Sequence, residues 1–168
     1  MTYLFFSIFA ILILLAVICQ LYLVILGSRL RTLENRIIER YHSKIDKIPA
    51  LLCVLGSHST KLMEYKDLTE LHRIAIISST NNIFDVLEIN AHITDRFGFL
   101  MRLALVIKST TKDGNFITIR ENITIIEGQI RELLSQYSAQ VRDYNSVIKA
   151  REYTIFGALL PGRKKAII

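Results

Sequence analysis

The sequence predicts an all-α protein: an N-terminal transmembrane helix followed by an antiparallel up-and-down helical bundle, most economically of four helices. Three observations carry this. Tyr3 to Leu26 is a run of 24 residues without a formal charge. Beyond it, apolar residues recur every three or four positions rather than every second one, the period of one face of a helix. Convincing strand alternation is absent; Phe116 to Ile126 is rich in Ile and Thr, which favours a strand locally, but its spacing of three and four favours a helix. The expected organisation is an anchor over residues 1–27, a bundle over 28–151 and an apolar, basic tail over 152–168.

The anchor is long enough for its task. A helix of that length spans about 36 Å, against a hydrocarbon core of about 30 Å. A cleaved signal peptide would have a shorter apolar region behind a basic start and before small residues. Met1 and Thr2 supply no basic side chain, and no small-residue cleavage pattern follows before Arg29. Cys19 is preceded by Ile18, where a lipoprotein site requires a small residue. Arg29, Arg31, Arg36 and Arg40 follow the run closely and no Lys or Arg precedes it. The positive-inside rule then places the C-terminal side in the cytoplasm, as a single-pass protein of the cell membrane that meets lipid through residues 3–26.

Leu30, Leu33, Ile37, Tyr41 and Ile45 continue a helical stripe out of the anchor. Pro49 interrupts it, and either kinks one long helix or opens a new one. Leu51, Leu52 and Leu55 resume an apolar face, and Gly56-Ser57-His58-Ser59 weakens it. Leu68, Leu71, Ile74 and Ile77 suggest a further helical piece, after which Ser78 to Asn82 has the chemistry of a helix cap. Ile83, Val86, Leu87, Asn90, Ile93, Phe97, Leu100, Met101 and Ala104 form the next face, with Asn90 its one polar member, and Thr110 to Asn115 breaks it. Phe116, Ile119, Ile123, Ile126, Ile130, Leu133, Tyr137, Val141, Tyr144 and Ile148 form the clearest stripe of the chain. Such a stripe serves either a dimerising coiled coil or packing within one bundle, and the other amphipathic helices favour the bundle. Each buried tyrosine on it needs a partner for its hydroxyl. Arg142 and Asp143 point away, and Asn145 is a candidate for satisfying backbone near the helix end.

Charge is distributed unevenly within the net +6: seven basic residues face three acidic ones from Arg29 to Lys61, and five face one from Lys149 to Lys165. A slightly acidic middle does not suit nucleic-acid binding, which calls for a basic stripe across the folded body. The two cysteines, Cys19 and Cys53, cannot build a disulfide framework. Cys53 lies in an apolar stretch and reads as a buried, inert thiol. The histidines His42, His58, His72 and His92 show no metal-binding spacing. A di-iron bundle needs Glu-x-x-His on two helices; Glu88 and His92 are four apart and have no second copy. Gly98 and Gly128 read as places where helices approach closely. Catalytic, cofactor-binding and metal-binding residues are therefore expected to be none, and no cofactor is expected.

Glu127 followed by Ile130, then Tyr137, then Val141-Arg142-Asp143-Tyr144-Asn145 is a recognisable arrangement, with Asn115-Phe116 opening the same helix and Asp46 and Ile48-Pro49 in the first one. It resembles the LemA family of bacterial membrane proteins. Leu134 and Ser138 depart from the Arg and Asn usual there, and the usual Phe-Pro after the last helix is missing. The resemblance implies a four-helix bundle on a membrane stalk and no known reaction. The expected function is therefore a non-enzymatic scaffold or adaptor that binds an unidentified protein partner at the membrane. The alternatives are a self-assembling or lipid-interacting coiled-coil protein, or an accessory to a membrane-bound enzyme; the oligomeric state stays open. Tyr153, Ile155, Phe156, Leu159 and Leu160 followed by Arg163-Lys164-Lys165 suggest a tail lying against the membrane surface.

Overall fold

The great length of the first helix reflects what it lacks. From Thr2 to Ile45 there is neither proline nor a polar turn sequence, and the computed structural model has one uninterrupted 44-residue helix there, α1. The structure describes residues 2–58, 62–77, 83–152 and 165. α1 ends in a turn at Asp46 and Lys47, closed by the Lys47 amide donating to the Lys44 carbonyl at 3.1 Å. Pro49 therefore opens a helix rather than kinking one: α2 runs Ile48–His58, and a proline in the first turn forfeits an N–H that has no intrahelical partner there anyway.

The remaining elements are α3 (Leu62–Ile77), α4 (Ile83–Val106), the single turn α5 (Lys108–Thr111) and α6 (Gly114–Glu152). Among the described residues there is no strand. Four helices carry most of the chain: α1, α3, α4 and α6, of 44, 16, 24 and 39 residues. Phe116 to Ile126 is helical, so the periodicity overrides the local strand preference of its Ile and Thr. The break after α4 comes earlier than its polar residues suggest, at Ile107, whose backbone is extended. Asp113 then caps α6. Its Oδ1 accepts from the amides of Asn115 at 2.8 Å and Phe116 at 3.3 Å, two of the free N–H groups at the helix start. The cap-like residues 78–82 and the tail residues 153–164 and 166–168 lie outside the described residues, as do the side chains of Leu68 and Ile77.

The chain forms two compact units. One is residues 35–132, the other residues 1–34 with 133–168. In the first, a single core takes Ile45 from the end of α1, Ile48, Leu51 and Leu55 from α2, Ala75 from α3, Ile93, Phe97, Leu100 and Ala104 from α4, and Phe116 and Ile123 from α6. The stripes of α4 and α6 turn inward as their spacing demands. On α3 the inward side is the one carrying Leu71 and Ala75, while Ile74 is exposed. Cys53 is exposed too, not buried. With Ile48, Leu51 and Leu55 facing the core at steps of three and four, position 53 falls on the opposite side of the helix. Gly98 and Gly128 do not mark close helix approaches. A Cβ at Gly98 would meet only the tip of Arg102 at 3.8 Å, and one at Gly128 would meet nothing within 4 Å.

In the other unit, Leu23, Leu26, Leu30 and Leu33 of α1 are buried, as are Tyr137, Val141 and Ile148 of α6. Each set lies along one side of its helix at steps of three, four or seven, and the Tyr137 hydroxyl of α6 reaches Glu34 of α1. N-terminal to Leu23 the picture changes. Phe6, Ile8, Phe9, Ile11, Leu12, Leu14, Leu15, Val17, Ile18, Leu21 and Tyr22 are all exposed. This is the one stretch of the described residues long and apolar enough to cross a membrane, and only 6% of it is buried. A soluble core helix of that composition would be covered by its own fold.

Candidate functional site

Two polar clusters interrupt the apolar stripes, one in each unit. Within residues 35–132, Lys44 is 2% exposed. Its Nζ donates to Thr94 Oγ1 at 2.7 Å and lies 2.8 Å from Glu127 Oε1. It also sits 5.9 Å from the centre of the Phe97 ring, within cation–π range. An ammonium group so far from water is tolerable only because a carboxylate, a hydroxyl and an aromatic face replace its hydration. Tyr41, one turn back on α1, has its hydroxyl ionisation pushed up by burial and then by the negative charge of Glu127.

Within the other unit, Glu34 on α1 is the hub. Tyr137, 1% exposed, donates its hydroxyl to Glu34 Oε1 at 3.0 Å. Lys165 Nζ reaches the same oxygen at 2.8 Å. The Lys165 backbone is held as well: its amide donates to Asn145 Oδ1 at 2.9 Å, and Asn145 Nδ2 donates to its carbonyl at 2.8 Å. Burial pushes the Tyr137 hydroxyl well above its ordinary value, and the hydrogen bond to Glu34 and that residue's charge add to it.

Both tyrosines titrate near 10.0 when unfolded and higher in the native state. The unfolded chain thus releases protons first as pH rises, and the stability that is complete below that value is lost as pH climbs towards the native ionisation. Stability should fall above about pH 10, by up to about 1.4 kcal/mol per pH unit for each tyrosine. Urea titrations of the detergent-solubilised chain between pH 8 and 11.5 measure this. Tyr137→Phe should make the decline shallower, and an unchanged slope would show that the hydroxyl is not held as described.

Of the residues singled out in the sequence, Glu127, Tyr137 and Asn145 make side-chain contacts at long range within the chain, whereas Arg142 and Asp143 are exposed. Asn145 satisfies the backbone of Lys165 rather than that of its own helix end. His42 and Asp46 are exposed, as are Glu88 and His92. No group of three potential metal ligands comes together among the described residues. Lys44 was legible in the sequence: Ile37, Tyr41 and Lys44 step by four and three within α1, which places the lysine on the core stripe. Asn90 is similarly buried, with Nδ2 on the Val86 carbonyl at 2.8 Å and Oδ1 unpaired among the described residues. No family model, curated protein or solved structure significantly matches this chain.

Proposed function

We propose that this chain is a single-pass protein of the cell membrane, anchored by the apolar part of α1, whose helical remainder faces the cytoplasm and acts without catalysis as a scaffold or adaptor for protein partners, in the manner of the LemA family. The observation that carries the reading is α1 itself. Its first half exposes apolar side chains on all sides, and the same unbroken helix then enters a packed core. Lipid is the solvent in which such a surface is stable. The basic residues from Arg29 to Arg40 favour the cytoplasmic side for the helices beyond them. The polar clusters are occupied by their own ion pairs and hydrogen bonds, a structural use of titratable groups that suits a binding protein rather than an enzyme. Glu127, Tyr137 and Asn145, three residues on which the LemA resemblance rests, make these contacts. The stripe of α6 is buried by the chain's own helices, which favours intramolecular packing over a dimerising coiled coil.

Two measurements on the full chain in membranes test the proposal. The protein should stay in the pellet after alkaline carbonate extraction. A thiol introduced as Arg142→Cys, in a chain with Cys19→Ser and Cys53→Ser, should react with an impermeant maleimide only after the cells are opened. Release by carbonate would remove the anchor; labelling of intact cells would reverse the orientation.

A further inference from the structure

The contact at Lys165 differs in kind from the others in the fold. Asn145 uses both ends of its carboxamide on one residue, donating to the Lys165 carbonyl and accepting from its amide at 2.8 and 2.9 Å. This satisfies both backbone groups of a single residue, as a neighbouring strand would, and it reads main chain without regard to side chain. Side-chain identity is read separately, by the Glu34 carboxylate 2.8 Å from the Lys165 ammonium. Glu34 does not have to be ordered for this. The Tyr137 hydroxyl already holds the same oxygen, and that tyrosine is 1% exposed. Two helices thus supply a backbone clamp, an acidic receptor and a fixed brace. The residue they hold lies 20 positions beyond Asn145.

We infer that Asn145, Glu34 and Tyr137 form a docking site for a lysine side chain together with its own backbone amide and carbonyl, filled in this structure by the chain's own Lys165. The site is built for exchange. Lys165 and Glu34 are 33% and 22% exposed, so their ion pair is solvated and contributes little by itself. Two hydrogen bonds to backbone add a modest amount. Occupation by the chain's own Lys165 relies on a high effective concentration, and a lysine-bearing segment of a partner competes once its local concentration is comparable. The tail residue thereby acts as a built-in competitor for the partner's lysine.

The test uses the full chain in detergent. A carbodiimide joins a carboxylate and an amine only where they touch, so the native protein should give an intramolecular Glu34–Lys165 isopeptide, identified by mass spectrometry of the digested monomer. Asn145→Ala should lower its yield about tenfold, the effect of losing two backbone hydrogen bonds. A second measurement needs no variant. Acetylated, amidated peptide of sequence Arg-Lys-Lys-Ala-Ile-Ile, added in millimolar excess, should suppress the internal cross-link, whereas the same peptide with its second lysine replaced by alanine should not. In Lys165→Asp, where two acidic groups would face each other, the labelled peptide should bind with higher affinity than to wild type, and Asn145→Ala in that background should abolish binding. No Glu34–Lys165 cross-link in the monomer, a yield indifferent to Asn145→Ala, or no competition by the peptide would each overturn the inference. A cross-link confined to the dimer would overturn the assignment of Lys165 as the occupant within its own chain.

Discussion

Ile123→Asp should unfold the helical core of this protein, whereas Ile125→Asp, two residues further along the same helix, should leave stability within about 0.5 kcal/mol of wild type. Ile123 is 2% exposed and belongs to the cluster with Phe97, Leu100 and Phe116; Ile125 is 58% exposed. A carboxylate at 123 would lose its hydration among these apolar side chains, a cost of several kcal/mol on top of the lost apolar burial. That is a large fraction of the roughly 5–15 kcal/mol by which ordinary domains are stable. At 125 the carboxylate stays in water. The pair also discriminates between architectures. In a strand, 123 and 125 would share a face and the two changes would act alike; in a helix they lie about 200° apart. Thermal unfolding of the detergent-solubilised full chain, followed by circular dichroism at 222 nm, separates the outcomes. Equal melting temperatures would refute the inward face assigned to α6.

Glu127→Leu should cost about 3–5 kcal/mol, because it strands the Lys44 ammonium in the core with only Thr94 and the Phe97 ring for company. Lys44→Met together with Glu127→Leu should restore most of that loss. The thioether chain fills the path of the lysine stem, and an apolar pair replaces the ion pair without leaving a charge behind. Lys44→Met alone should cost less than Glu127→Leu alone, since Glu127 is 32% exposed and can be rehydrated whereas Lys44 cannot. A double-mutant cycle in urea measures the coupling. If the two single changes simply add, the two side chains do not meet in the folded protein.

Periodicity made α1, α4 and α6 readable because each buries one face, and burial of one face imposes a spacing of three and four on the apolar residues. The same reasoning identified the apolar run of α1 and the inward set from Ile83 to Ala104, including Asn90. It failed where local chemistry competes. Cys53 lies in an apolar stretch, but apolar neighbours do not determine a face; only the core on the other side of α2 does. The break after α4 falls at Ile107, ahead of the polar run from Thr110 to Asn115, and Thr110 itself is buried in the turn α5.

What the sequence determined by itself was the helical class, the apolar N-terminal segment and the inward stripes of α1, α4 and α6, since all three depend on neighbours within a turn or two. Tertiary structure decided whether Pro49 kinked or opened a helix, because Ile45 and Ile48, on either side of the turn at Asp46 and Lys47, both enter the core. It decided as well which polar residues meet. Lys44 and Glu127 are 83 positions apart, and Glu34 and Lys165 are 131. Nothing local selects such partners. The Lys44 ammonium is tolerable under the core only in the company of Glu127, and that constraint is one of three dimensions, invisible along the chain.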